Sequence, residues 1–156
     1  MRVLFMCTAN SCRSILSEAM FNHLAPQGFE AVSSGSFPKG QVLPRSLSTL
    51  QQAGIPIDGL YSKGNDAFEG NPPDIVITVC DKAAGESCPV YFGPALKAHW
   101  GLEDPSYVTG EEAAIDAAFR ATLARIERRC KVFLELPFGT LNRDELKNEL
   151  DRIGAL

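Results

Sequence analysis

Histidine is scarce in this chain, with only His23 and His99 among 156 residues. That leaves little room for an imidazole-based metal centre or a histidine-dependent triad. Long hydrophobic runs are missing as well. The longest, VLFMC and IVITVC, fall far short of the roughly 20 residues needed to span a bilayer. The N-terminus offers one arginine and no apolar signal-peptide core, so the expected compartment is the cytoplasm. Neither a Walker lysine nor a G-x-G-x-x-G pattern occurs, and nucleotide binding has no support. Basic residues are in deficit, 15 against 19 acids for a net charge of −4, which argues against nucleic acid or an anionic membrane as partner. Linkers, repeats and low-complexity segments are also absent. An anionic substrate would need a locally positive pocket inside an acidic shell.

What is present is ordinary in amount: 45% hydrophobic and 22% charged residues, in a length that fits one domain over 1–156. The order of the residues says more. Residues 2–6 read as a buried strand, and SILSEAMFNHLA (14–25) reads as a helix with Leu16, Met20 and Leu24 at helical spacing. Pro26 and Gly28 stop it. A second strand is expected near FEAVSS (29–34). Pro44 suits a first helical turn, ahead of a stripe of Leu47, Leu50 and Ala53 that ends at Gly54. DIVITVC (74–80) is the strongest strand, and another is expected within ALKAHW (95–100). Thr109 and Glu112 have the spacing of a capping box. After them Ile115, Phe119, Leu123, Ile126, Cys130 and Phe133 trace one face of a long helix. Asn142 and Glu145 cap a last helix carrying Leu146, Leu150 and Ile153. Apolar strands alternating with helices predict an open, parallel, four-stranded α/β sheet flanked by helices in three layers. No exposed apolar stripe calls for more than a monomer.

The densest chemistry lies in CTANSCRS, residues 7–14, directly after the first strand. In an open α/β sheet the carboxyl end of that strand is a favoured ligand site. A tight loop opening onto a helix gathers backbone N–H groups into an anion cradle. Here Thr8, Ala9, Asn10, Ser11, Cys12, Arg13 and Ser14 would form the cradle, with Cys7 at its base. Arg13 can offer a two-pronged fork to a tetrahedral oxyanion. The floor of a positive cradle is where a thiol works as a nucleophilic thiolate. A lone cysteine closing a strand is ordinarily a core residue. An arginine at this spacing, on a strand-loop-helix, favours the nucleophile.

The Cys-x5-Arg-Ser loop after an N-terminal strand resembles that of the low-molecular-weight protein tyrosine phosphatases. The likeness continues through SSGS (33–36) to DP (104–105). Within that superfamily the chain is most similar to the thioredoxin-coupled arsenate reductases, through VITVCD (76–81), SCPV (87–90) and HWGLEDPS (99–106). The resemblance implies arsenate as substrate, with phosphate or sulfate as analogues. It makes Cys7 the nucleophile, Arg13 the oxyanion clamp, Ser14 a hydroxyl donor to the thiolate and Asp104 the general acid. Taken alone, Asp104 would be a turn residue before Pro105. Two departures from the phosphatase pattern stand out. Ile15 follows Arg-Ser where phosphatases often have proline, and DPSY lacks the paired aromatics that grip an aryl phosphate.

The same resemblance gives Cys80 and Cys88 a task. Cys80 would attack the Cys7 sulfur as arsenite leaves, and Cys88 would then carry the oxidised pair to the surface. Thioredoxin would reduce that pair, with no tightly bound cofactor; a glutathione and glutaredoxin route stays open. The segment between them is expected to be helical or coiled when reduced and looped out when oxidised. Structurally, Cys80 could be plain core, whereas Cys88 sits in the polar stretch DKAAGESCP. Two other readings remain: a small tyrosine phosphatase, and a non-enzymatic thiol switch. A zinc site of Cys7, Cys12, Cys80 and Cys88 is disfavoured, because zinc knuckles usually space paired cysteines by about two to four residues. Cys12 and Cys130 read mainly as structural. Some arsenate reductases of this family hold a potassium ion beside the loop. Asn10, Glu18 and Ser33 match three of its ligands, and the fourth place falls on Lys63, or with a shift on Asn65 or Asp66. A lysine ammonium there would brace the loop without any metal.

Overall fold

The computed structural model describes residues 1–91 and 93–156. The N-terminal apolar run forms β1 (Arg2–Cys7), buried along nearly its whole length. The loop 8–12 leads into α1 (Arg13–Leu24), followed by β2 (Glu30–Gly35), α2 (Pro44–Gln52), β3 (Ile75–Thr78) and β4 (Leu96–His99). The chain closes with α3 (Glu112–Leu134) and α4 (Arg143–Gly154). The four strands lie in the order β2-β1-β3-β4 and every pairing is parallel. From β1 the chain moves first to β2 on one side and then returns to β3 on the other. That reversal opens a crevice at the carboxyl end of β1. The loop 8–12 sits there.

Side chains alternate across a strand, so β1 feeds two clusters. Val3, Phe5 and Cys7 join the larger core with Leu16, Met20 and Phe21 of α1, Phe119, Ile126 and Phe133 of α3, and Leu150 of α4. Leu4 and Met6 pack on the opposite face with Val76 and Ala95, under Phe68 and Tyr91. With helices over one face and shorter segments over the other, the sheet is the middle of three layers. In the larger core Phe5, Phe21, Trp100 and Phe133 meet at ring separations of 5.5 to 6.1 Å, tilted or edge-on as ring quadrupoles prefer.

Three details differ from the sequence pattern. The expected Thr109–Glu112 capping box does not form. Gly110, at φ 114°, turns the chain so that Glu112 is the first helical residue, and Glu111 at the N-cap makes no side-chain cap. Glu112 instead pairs with Arg45 at 2.6 Å, joining α3 to α2, and Asp116 pairs with the same arginine. Ala53 is exposed rather than part of the α2 stripe, because the helix ends at Gln52 and Gly54 turns away at φ 76°. Arg129 lies on the buried face of α3, 1% exposed. It donates to the carbonyls of Gly101, Gly154 and Leu156 at 3.0 to 3.2 Å. Burial, with Arg125 and Arg128 nearby, brings it down to about 10. The Asn142–Glu145 box does form, with both reciprocal bonds.

Candidate active site

The loop after β1 is shaped by where its carbonyls go. Those of Cys7, Thr8, Ala9 and Ser11 accept from the backbone N–H groups of Ser36, Phe37, Lys39 and Leu43 at 2.9 to 3.2 Å. In a planar trans peptide the N–H of the next residue points opposite to the carbonyl. Spending the carbonyls outward therefore turns the amides of Thr8, Ala9, Asn10 and Cys12 inward. One of them reports the direction: Asn10 N–H points at Cys7 Sγ, 3.3 Å away. Asn10 itself has φ 47°, a left-handed conformation that asparagine tolerates better than most residues. Gly35 lets β2 pass close beneath. A Cβ there would lie 2.5 Å from the Thr8 carbonyl oxygen and 2.9 Å from Asn10 N.

A directed hydrogen-bond chain runs from the core to the thiol. Asn10 Nδ2 donates to Ser14 Oγ at 2.8 Å and to Ser33 Oγ at 3.0 Å, and its Oδ1 accepts Lys63 N–H at 2.9 Å. Ser14 Oγ, already accepting from Asn10, has its own proton free for Cys7 Sγ at 2.9 Å. Ser33 donates to Glu18 Oε1 at 2.6 Å. Lys63 Nζ donates to the Tyr61 carbonyl at 2.8 Å and lies 3.4 Å from Ser33 Oγ and 3.5 Å from Glu18 Oε1. The ammonium thus meets Glu18 and Ser33, while the lysine holds Asn10 by its backbone. Burial lowers the Lys63 ammonium from its ordinary value, opposed by Glu18.

Arg13, Asp104 and a residue absent from every motif meet at the mouth of the loop. Arg13 is buried, and its two terminal nitrogens each take one oxygen of Glu86 at 2.7 Å. One of them also reaches Asp104 Oδ2 at 3.3 Å, and the other reaches the Leu102 carbonyl at 3.1 Å. Burial by itself would favour a neutral guanidinium, but the bond to Glu86 and the charges of Asp104 and Glu86 raise its proton affinity. Arg13 in turn holds the Glu86 carboxyl below its ordinary range. Asp104 Oδ1 accepts from both the N–H and the hydroxyl of Ser106, at 2.9 and 2.6 Å. Cys12 is buried, which pushes its thiol up to about 12 against a hydrogen bond to Ser46. It stays protonated, as does Cys130 in the core, also at about 12 through burial.

Cys80 and Cys88 are joined as a disulfide with Cα atoms 5.7 Å apart. Between them the chain makes a short 3-10 turn at Lys82–Ala84, reverses at Gly85 with φ 83° and continues without regular structure. Cys80 is fully buried behind β3 and Cys88 is half-buried. Cys88 borders a cavity of about 560 Å³ shared with Thr8, Arg13, Glu86 and Asp104. Phe37 and Tyr107, both largely exposed, line the same cavity. The His99 ring lies 4.0 Å from Cys88 Sγ and 2.7 Å from Thr78 Oγ1. Burial, aided by Lys82 and Arg129, keeps that imidazole below its ordinary value. The two sulfurs and a His99 nitrogen lie within 4.8 Å of one another, but sulfurs tied in a disulfide offer no thiolate to a metal.

The structure therefore gathers Arg13, Asp104 and Cys88 at one crevice, with Cys7 and Ser14 hydrogen-bonded and buried in the adjoining loop and helix, and Asn10 linking Ser14 to Ser33, Glu18 and Lys63. Glu86, Gly35, Phe37 and His99 escaped the sequence reading. Gly35 and His99 lay inside the stretches SSGS and HWGLEDPS without a role of their own, and Glu86 only stood two residues before Cys88. Among the described residues no helix is long and apolar enough to cross a membrane. Residues 2–150 match the family described as low molecular weight phosphotyrosine protein phosphatase. An arsenate reductase of Bacillus subtilis (strain 168) is 31% identical over 133 residues, 85% of this chain and 94% of its own length. Among solved structures, arsenate reductase from Archaeoglobus fulgidus aligns with a TM-score of 0.72 at 27% identity, covering 86% of this chain and 99% of that one. A thioredoxin-dependent arsenate reductase of Corynebacterium glutamicum aligns at 0.59 and 30% identity, covering 83% of this chain and 60% of that one.

Proposed function

The chain belongs to the low molecular weight phosphotyrosine protein phosphatase family, and from that premise we propose that it reduces arsenate to arsenite. The observation that carries this reading is the Cys80–Cys88 disulfide, whose Cys88 lines the same crevice as Thr8, Arg13 and Asp104, next to the loop that begins at Cys7. A hydrolase needs one thiol and water. A two-electron reduction needs a second thiol to close a disulfide, and a third sulfur can then take that disulfide over and free the nucleophile.

The amides of the loop and the Arg13 fork hold three arsenate oxygens, and the Cys7 thiolate, accepting from Ser14 and the Asn10 N–H, attacks arsenic. Asp104 protonates the departing oxygen, which leaves as water. Cys80 attacks the Cys7 sulfur. The sulfur–arsenic electron pair stays on arsenic, which leaves as arsenite. Cys88 then attacks the Cys80 sulfur, so the Cys80–Cys88 bond forms and Cys7 departs as thiolate. Two electrons reach arsenic and two thiols become one disulfide, which a thioredoxin dithiol reduces. The protein works as a monomer, with thioredoxin approaching the half-buried Cys88.

The test is arsenate-dependent NADPH oxidation with thioredoxin and thioredoxin reductase present. Wild type turns over and Cys7→Ser does not. Cys88→Ser completes one turnover and stops with Cys7 joined to Cys80. Repeated turnover by Cys88→Ser with thioredoxin alone would overturn the relay. One observation favours a residual second activity: Phe37 and Tyr107 beside the crevice can flank an aryl ring. Slow hydrolysis of p-nitrophenyl phosphate without reductant would measure it.

A further inference from the structure

Glu86 stands where an oxyanion would stand. Its two oxygens occupy both terminal nitrogens of Arg13 at 2.7 Å each, the paired geometry with which arginine grips phosphate. The same carboxylate accepts Asp81 N–H at 2.8 Å, so it is held from the loop side as well. Asp104 differs, because Ser106 fixes it in place and it touches Arg13 with one oxygen only. The side chains of Arg13 and Glu86 are 6% and 24% exposed, so the ion pair is largely shielded from water.

The reach of Glu86 depends on the arch that carries it. The disulfide holds the ends of the segment 5.7 Å apart at Cα, and Gly85 reverses the chain immediately before Glu86. An unbroken helix over the same eight steps would separate those ends by about 12 Å. Opening the disulfide removes the constraint that delivers the carboxylate to Arg13.

We propose that Glu86 is a tethered anion that fills the oxyanion clamp in the Cys80–Cys88 disulfide form and vacates it when the pair is reduced. The inference rests on the reading of residues 7–14 as an oxyanion site. Its consequence is that the oxidised protein, which has no electrons to give, does not hold arsenate or the far commoner phosphate. Once Cys88 has taken the disulfide from Cys7, Glu86 supplies the negative charge that Arg13 loses with the product. Only reduction reopens the clamp.

Inorganic phosphate, titrated calorimetrically, tests this without any reductase assay. Where a closed form holds nine-tenths of the molecules or more, apparent affinity falls about tenfold or more. Oxidised wild type should therefore bind phosphate at least about tenfold more weakly than reduced wild type. Oxidised Glu86→Gln should match the reduced protein within about twofold, and Glu86→Ala should agree with it. Equal phosphate affinity in oxidised and reduced wild type would overturn the proposal, as would an undiminished redox difference in Glu86→Gln. Absence of phosphate binding in every form would overturn both the oxyanion site and the plug. Redox-dependent binding without arsenate turnover would leave the plug standing and remove the reductase reading.

Discussion

Replacing Lys63 by methionine tests whether an ammonium braces the loop. The exchange keeps an unbranched side chain of similar length and deletes the charge. Lys63 and Glu18 have side chains only 7% and 12% exposed, with 3.5 Å between the charged atoms. The ammonium also donates to the Tyr61 carbonyl at 2.8 Å and lies 4.3 Å from the Tyr61 ring centroid. Removing one partner of a fully buried pair costs about 3–5 kcal/mol. The longer separation and residual exposure reduce that here to about 2 kcal/mol, similar to one charged hydrogen bond. With a urea slope of about 2 kcal/mol per M, the unfolding midpoint should fall by about 1 M. Glu18→Gln added to Lys63→Met removes the orphaned carboxylate and should recover about half of the loss. Asn10 loses the rigidity of its neighbour, so KM for arsenate should rise, up to about tenfold. Potassium should not rescue the variant, and wild type should respond equally to potassium and sodium at equal ionic strength. An unchanged midpoint in Lys63→Met, or wild type clearly stimulated by potassium over sodium, would refute the tethered-cation reasoning.

Two other outcomes follow from the same geometry. In Gly35→Ala the new methyl would lie 2.5 Å from the Thr8 carbonyl oxygen, and backbone must move to admit it. A destabilisation of about 2 kcal/mol is expected, with turnover lost at full occupancy of the fold; urea titration and the coupled assay read the two separately. Acid should open the plug. Arg13 holds the Glu86 carboxyl below its ordinary 4.5, so the pair's contribution is fully present above 4.5 and lost as pH falls through the lower folded-state value. The difference in phosphate affinity between oxidised wild type and Glu86→Gln should hold at neutral pH and vanish in acid; a difference independent of pH would show that the carboxylate charge is not the cause.

The arrangement of CTANSCRS was legible because its chemistry is local. Cys7 and Arg13 are six positions apart on a strand-loop-helix, and that short-range geometry follows from the chain itself. The apolar strands and the helix stripe through Phe119 and Phe133 were legible for the same reason, since periodicity records which face will be buried. Even Asn142 and Glu145, three residues apart, sealed their own helix end. Thr109 and Glu112 had equally good spacing and failed, because the chain turns at Gly110 and the helix begins only at Glu112, which leaves Thr109 outside the N-cap position.

Other features depended on contacts that no spacing encodes. Arg129 has no sequence signal of its own, and only folding brings the carbonyls of Gly101, Gly154 and Leu156 around it. Lys63 could be aligned with a cation position, yet only the folded chain shows its ammonium on Glu18 and its backbone on Asn10. Glu86 carried no motif at all. The sequence by itself determined which segments are apolar strands or striped helices and which residues make up the loop after β1, because both arise from neighbours along the chain. Tertiary structure alone decided that Glu86, brought round by a closed eight-step arch, meets Arg13 across 73 positions, because closure of a loop and pairing of charges are settled only where the two segments share a place in space.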